Sequence, residues 1–199
     1  MAQSVRNAKA ATSPKMKGRK MAVAPRSYEA IKFEVDVSAR YHEYRRSWLE
    51  GVVTIIRAVS LVGSVVALLA LSNWVETRDV AVSVVAIITA LIGIVNLIDL
   101  VFHVDASARD HSALYQRFKS LQAQIARHRP DWESAGSELE AQAQEIRVDE
   151  PPTYYAVYAR AWNQTLEKYS ESAHRRPLTL WQSIAGNFWK FRPDNFKAA

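Results

Sequence analysis

Four polar residues in the middle of the chain share a helical spacing and lie among apolar neighbours. Thr89, Asn96, Asp99 and His103 are separated by seven, three and four residues, which places them on one face of an α-helix. A charge at membrane depth needs a partner or water, because it costs about 2.5–3.5 kcal/mol on insertion scales. Several copies with this face inward would line a water-filled path, and a ring of aspartates favours cations. The spacing therefore predicts four pore-lining residues.

An ion pair is a second interpretation of Asp99. Arg57 is the only charge in the apolar stretch from Gly51 to Ser72, and Asp99 is the only charge in the next stretch. Counted from the middle of the connection, the two differ in depth by roughly 6 Å, which a long guanidinium side chain can bridge. Arg57 and Asp99 are thus predicted to pair within the membrane, inside one hairpin or between two. Both roles, in the pore and in the ion pair, are kept for Asp99. They are compatible if the ion pair forms in a closed pore and breaks when the pore opens.

The other residue types offer little enzymatic chemistry. The chain has no cysteine, which excludes disulfides, thiolate metal sites and cysteine nucleophiles. It contains no nucleophile elbow, P-loop, GxGxxG or HExxH motif. Its five histidines lack close metal-ligand spacing, and each is predicted to be packed or at the solvent edge. We predict that the chain is not an enzyme and uses no cofactor.

Two long apolar segments must position the polar residues. The 199-residue chain is 49% hydrophobic, and its apolar residues concentrate in Gly51–Ser72 and Val80–Val101. Each segment spans about 33 Å as a helix, enough to cross a hydrocarbon core of about 30 Å. The connection is short and holds Trp74, a residue type of membrane interfaces, so the segments form an antiparallel hairpin. The alternative is a pair of buried core helices, which are usually shorter and keep a polar stripe.

The charge distribution predicts the orientation of this hairpin. Met1–Glu50 carries 11 Lys and Arg against 5 Asp and Glu, whereas Arg78 is the only basic residue in the connection. The positive-inside rule then places both termini in the cytoplasm or on its equivalent side. Residues 1–26 are predicted to be a disordered basic arm near anionic headgroups. A mitochondrial transit peptide is the alternative, but no amphipathic apolar face accompanies the charges.

Helical periodicity predicts a cytosolic bundle attached to the hairpin. A helix over 27–50, with Ser27 as N-cap, leads into the first span, and the second span continues as one rod from Val80 to about His128. Shorter helices follow up to residue 175. The fold class is therefore all-α: a two-helix transmembrane hairpin (51–101) extended into a cytosolic helical bundle (102–175). After the second apolar segment, a coiled-coil seam is predicted from the spacing of His111, Leu114, Phe118, Leu121, Ile125 and His128. A later helix carries an aromatic stripe of Tyr155, Tyr158, Trp162, Leu166 and Tyr169, which is predicted to pack in the core against Phe33, Tyr41, Tyr44 and the Phe118 seam.

The last segment, 176–199, is predicted to be an aromatic amphipathic tail. Trp181, Ile184, Phe188 and Phe191 share a helical face in this prediction, and Trp189 lies elsewhere. Three interpretations stay open: the tail packs on the bundle, lies in the membrane interface, or offers rings and cations to nucleotide bases and phosphates.

The layout resembles the SLATT domain family, the two-transmembrane effectors of bacterial nucleotide-signalling antiphage systems. The resemblance covers about Ser27 to Tyr169. It rests on RRSWLEG before the first span, DLVFHVDASARDHSALYQRFKSLQ after the second, and the later DEPPTYYAVYARAWNQTLEKY. The positions that fit the family's weak pattern are His111, Tyr115, Leu121, Pro151, Ala161 and Asn163.

This resemblance implies an oligomeric pore in the inner membrane of a bacterium, with both termini cytoplasmic, that a nucleotide signal controls. A partner nucleotidyltransferase would make a cyclic or linear oligonucleotide, and the pore would depolarise the membrane and arrest or kill the infected cell. A non-conducting membrane anchor that recruits a partner protein is the main alternative, and a holin-like or transporter-accessory subunit is a third. The residues predicted to contact the ligand are Arg175, Arg176, Trp181, Trp189, Lys190 and Arg192.

Overall fold

The computed structural model describes residues 26–72, 78–169 and 174–196. Within these ranges the protein is entirely helical, which confirms the predicted all-α class. The helices are α1 (Tyr28–Ser72), α2 (Arg78–Phe102), α3 (Val104–Arg127), α4 (Trp132–Val148), α5 (Tyr155–Lys168), α6 (Leu180–Ala185) and a short 3₁₀ helix (Pro193–Phe196). Nearly all of the predicted basic arm, together with Trp74 in the connection, lies outside the described residues.

Helix α1 is a single element of 45 residues that joins the bundle to the first apolar segment. Its first turn is capped as predicted, because the Ser27 hydroxyl accepts a hydrogen bond from the Ala30 amide at 3.3 Å. Gly51 does not interrupt it. The helix predicted over 27–50 and the first apolar segment are therefore one continuous rod.

The core of the bundle forms on two faces of α1. One face, which includes Ile31 and Val35, packs against α3 and α4, and the predicted α3 seam with Phe118 is buried there. The other face packs against the aromatic stripe of α5, where the Phe33 and Trp162 rings meet edge to face at 4.8 Å. The prediction that this stripe also meets the Phe118 seam is wrong, because α1 lies between them.

A buried carboxylate ties three helices together. Asp36 on α1 accepts hydrogen bonds from Gln122 of α3 at 2.7 Å and from Lys168 at the end of α5 at 2.7 Å. The hydroxyl of Tyr169 donates to the same carboxylate at 3.1 Å. This network closes the end of the bundle that is remote from the apolar segments.

The predicted continuous rod after the second span is broken at His103. Helix α2 ends at Phe102, and His103 adopts a left-handed conformation with φ 46° and ψ 46° before α3 begins. Left-handed geometry costs an L-residue roughly 1–2 kcal/mol, although histidine tolerates it better than most. The break changes the register between α2 and α3.

Helices α1 and α2 are both long and apolar enough to cross a membrane. They pack side by side in antiparallel order, and their apolar stretches are almost entirely uncovered. Large side chains are exposed on both helices, among them Ile55, Leu61 and Leu68 on α1 and Leu91, Leu100 and Phe102 on α2. Soluble monomers rarely expose so large a contiguous apolar surface.

The tail is less helical than predicted. Helix α6 begins with a capping box between Thr179 and Gln182 and ends at Ala185, so Phe188 and Phe191 lie beyond it rather than on its face. Gly186 permits a close approach to α5, since a Cβ there would lie 2.8 Å from the Ala156 Cβ. The chain then folds back, and Phe196 is buried against α5.

Candidate functional site

The contact between α1 and α2 is built on a small residue. A Cβ added at Gly63 would lie 2.6 Å from Cδ1 of Ile92 and 3.3 Å from Cγ2 of Ile88, so the glycine lets the helices approach closely. One turn away, the Ser60 hydroxyl donates a hydrogen bond to Oδ1 of Asn96 at 3.1 Å. Gly63 therefore permits the close contact between α1 and α2 within the chain.

Asp99 lies on the α1-facing side of α2, two turns along from Ile92. Its side chain is half-buried, and its Oδ1 atom is buried with no hydrogen-bond partner in the described part of the chain. A buried carboxylate oxygen without a donor is costly, because its desolvation is not offset. This is the one acidic group within the apolar part of α2.

The remaining residues of the predicted pore face are arranged differently from the prediction. Thr89 is exposed, and Asn96 is exposed but bonded to Ser60, so both flank the contact with α1. His103 does not extend this face, since it is the residue at which the helix breaks. Thr89, Asn96 and Asp99 thus remain on α2, and their place in a pore stays a prediction.

Arg57 does not pair with Asp99 within the chain. Its Nη2 atom lies 3.2 Å from Oδ1 of Asp105, and Nη1 of Arg109 lies 2.8 Å from the other oxygen of that carboxylate. The left-handed residue after α2 brings the first turn of α3 beside Arg57, which straight-rod counting did not anticipate. The predicted intramembrane pair is therefore corrected for a single chain, and a pair between chains stays a prediction.

The six predicted ligand contacts do not converge. Arg175 pairs with Glu167 at 2.8 Å, while the Arg176 guanidinium lies 4.2 Å from the Trp162 ring centre. Lys190 instead lies 5.6 Å from the Tyr154 ring, about two helical turns from Trp162 along α5. The other three side chains, all exposed, are Trp181, Trp189 and Arg192.

Some residues of the tail pack on the bundle, while other aromatic residues of the tail remain exposed. Ala185 and Phe196 are buried, which confirms packing on the bundle for those residues. Trp181, Phe188 and Trp189 remain about 70% exposed, even though the Phe188 ring meets Trp48 edge to face at 4.9 Å. A place in the membrane interface stays a prediction for these exposed rings.

A buried histidine pair was missed by the sequence reasoning. Nδ1 of His42 and Nδ1 of His111 lie 2.8 Å apart, so one neutral ring donates a hydrogen bond to the other. Burial, together with the nearby His42 and Arg45, lowers the pKa of His111 to about 3. Burial likewise raises the pKa of the adjacent Tyr41 to about 12. The spacing placed His111 on the predicted seam of α3, but it placed His42 on no buried face of α1 and did not predict that the two histidines pair.

A buried arginine beside this pair was also missed. Arg45 is 4% exposed, and its guanidinium lies 3.8 Å from the Tyr154 ring centre. Its Nη1 atom donates to the backbone and side-chain oxygens of Asn187 at 2.9 and 3.2 Å. Arg45 is one of two consecutive arginines before the first apolar segment, and the sequence pattern did not predict that it would be buried.

The chain matches no protein-family model, no curated protein and no solved structure. The arrangement itself offers charge and hydrogen-bonding groups at two places, the hairpin contact with Asp99 and the interior of the bundle around Arg45. Within the described ranges, no three His, Asp or Glu side chains are grouped to hold a metal ion.

Proposed function

We propose that the chain is a membrane protein whose hairpin crosses the bilayer and assembles with copies of itself around a cation-conducting pore. The uncovered apolar surface of α1 and α2 supports a lipid environment, because water would be a poor solvent for it. Both termini would lie on the cytoplasmic side of a bacterial inner membrane, as the excess of basic residues before the first span favours.

The observation that carries this proposal is the carboxylate of Asp99. An anchor needs only apolar side chains, whereas Asp99 places a charge on an apolar helix and leaves one oxygen without a donor. Lipid cannot supply the missing hydrogen bond. Water in a shared pore would donate this hydrogen bond, and a cation that passes through would coordinate the carboxylate and offset its charge.

The charge cluster of Arg57, Asp105 and Arg109 marks the cytoplasmic edge of the membrane in this proposal. All three side chains are more than one-third exposed and pair with one another, as charges do at a polar boundary. Asp99 lies in the last turn of α2, before the break at His103, and Asp105 lies in the first turn of α3 after it, so Asp99 is the deeper of the two. A ring of Asp99 side chains would therefore stand just inside the cytoplasmic mouth.

The cellular role follows from the resemblance to the SLATT family. We propose a non-enzymatic effector of a bacterial antiphage defence system, in which a partner nucleotidyltransferase makes a cyclic or linear oligonucleotide that gates the pore. Depolarisation then arrests or kills the infected cell. In the alternative, a non-conducting anchor, the cytosolic helices recruit a partner protein and no current flows.

Bilayer recording of the purified oligomer tests the pore. Asp99→Asn should insert normally but lower the preference for cations over anions several-fold, because the ring loses its charge. Glu138→Gln is the matched control, since it removes one negative charge from an exposed position on α4. Its currents should equal those of the unaltered protein.

Two results separate the alternatives. Unchanged selectivity in Asp99→Asn would remove Asp99 from the pore. The absence of current under all conditions, including after infection-derived nucleotides are added, would refute the pore and leave the anchor.

A further inference from the structure

The bundle holds a buried cation whose counter-charge is missing. Arg45 is 4% exposed, and in the described part of the chain no Asp or Glu side chain lies within 4.0 Å of its guanidinium. Its Nε atom is buried and has no hydrogen-bond partner. Arginine stays protonated in proteins, so this is a full positive charge. Buried charges are normally paired, because desolvation is otherwise uncompensated.

The neighbours of Arg45 offset only part of this cost. The rings of Tyr154 and Trp48 lie 3.8 and 5.2 Å from its guanidinium carbon and contribute cation–π attraction. Asn187 occupies one terminal nitrogen. Burial still lowers the pKa of Arg45, which shows that its charged form is less well solvated than in water.

Arg45 lines a cavity that has room for a small anion. The cavity measures about 150 Å³. Lys190, the second cation in its wall, makes no ion pair among the described residues. Asp110 is the one acid in the wall, so the lining carries a net positive charge. Hydroxyl donors complete it, and the polar lining residues are Arg45, Ser107, Asp110, His111, Tyr154 and Lys190.

We propose that this cavity binds a phosphate group of a soluble phosphate compound. Arginine and lysine together suit a tetrahedral oxyanion, since the guanidinium donates in a fixed fork and the ammonium acts as a point charge. The volume admits the phosphate and leaves the rest of the compound outside, because pockets for larger ligands measure about 300–1,000 Å³. The binding does not depend on whether the hairpin conducts.

The position of the cavity favours a soluble source over a lipid headgroup. Arg45 lies twelve residues before Arg57 on the same continuous helix, about 18 Å away at the helical rise. The headgroup region on each side of a bilayer is roughly 5–8 Å thick. If Arg57 marks the membrane edge, the cavity lies beyond the reach of lipid phosphates.

Occupancy would join three parts of the fold. Arg45 belongs to α1, Tyr154 precedes α5, and Lys190 belongs to the tail after α6. An anion held between Arg45 and Lys190 would draw the tail toward α1. The site therefore couples a soluble compound to the packing of the tail.

Calorimetric titration of the full chain in neutral detergent with pyrophosphate tests the proposal. Lys190→Gln should weaken binding about tenfold, because one charge-assisted contact is lost. Asp110→Asn should tighten binding a few-fold, because a like charge leaves the wall. Lys119→Gln, which removes an exposed cation from α3, is the control and should bind as the unaltered protein does.

Weaker binding by Lys190→Gln and tighter binding by Asp110→Asn, with no change in the control, would distinguish a specific site from general attraction of an anion to a basic protein. Equal affinity of Lys190→Gln, Asp110→Asn and the control, or no detectable heat with millimolar pyrophosphate, would overturn the proposal. Micelles doped with phosphatidylglycerol form a second arm. Competition by this lipid at low mole fraction would support the phosphate chemistry but overturn the soluble source.

Discussion

Acidification should destabilise the bundle through the buried side chain of His111. Burial, together with the nearby His42 and Arg45, lowers the pKa of His111 from 6.5 in an unfolded chain to about 3 in the folded protein. Because the folded pKa is the lower one, the unfolded chain binds more protons between these values. The stability that neutral His111 contributes is complete above pH 6.5 and is lost as the pH falls below it.

The size of this effect follows from the same two values. Between about pH 7.5 and about pH 5.5 the unfolded chain takes up nearly one proton that the folded chain does not, which lowers the free energy of unfolding by about 1.4 kcal/mol. For a chain of this length the unfolding temperature should fall by roughly 3–5 °C. Thermal unfolding of the full chain in detergent, followed by circular dichroism in phosphate-free buffers, measures it.

His111→Gln isolates the contribution of this side chain. Glutamine keeps a neutral polar group opposite His42 and cannot take up a proton, so its unfolding temperature should change little between the two pH values. His174→Gln removes an exposed histidine and should retain the full decrease. An equal decrease in His111→Gln and in the unaltered protein would refute the assignment, whatever the absolute stability of the variant.

Two further predictions concern packing. Gly63→Leu should separate α1 from α2 at a cost of about 1–3 kcal/mol, whereas Gly93→Leu, where a Cβ meets open space, should be tolerated. The measurement is the disulfide yield of a Ser60→Cys/Asn96→Cys pair in the otherwise cysteine-free chain, and equal yields in both variants would contradict the contact. Asp36→Asn should cost about 2 kcal/mol because its charge-assisted hydrogen bonds weaken. Its unfolding temperature should fall by about 4–8 °C, and an unchanged value would show that the network is not stabilising.

The sequence predicted the elements that depend on a regular pattern among residues close together along the chain. The period of α1 and α3 and the cap at Ser27 were readable because each depends on neighbours along one helix. The proximity of His42 and His111 was not, because 69 positions separate them and only the packing of α1 on α3 brings them together.

The misplaced features have identifiable causes. His103 is neither Gly nor Pro, the two residue types that most often mark a helix break, so the left-handed residue between the two helices was not predicted. That single residue moved the partner of Arg57 from Asp99 to Asp105. The early end of α6 did have a signal in Gly186, since glycine commonly follows the last turn of a helix.

The two connections between the bundle and the hairpin differ in stiffness. Helix α1 runs without interruption for 45 residues, about 67 Å at the helical rise, while the return path is jointed at His103. A tilt of the bundle would therefore be transmitted along α1 to the far end of its apolar segment, and bending would concentrate at His103. A movement passed between the two ends of the described chain would therefore combine a rigid rotation of α1 with bending at His103.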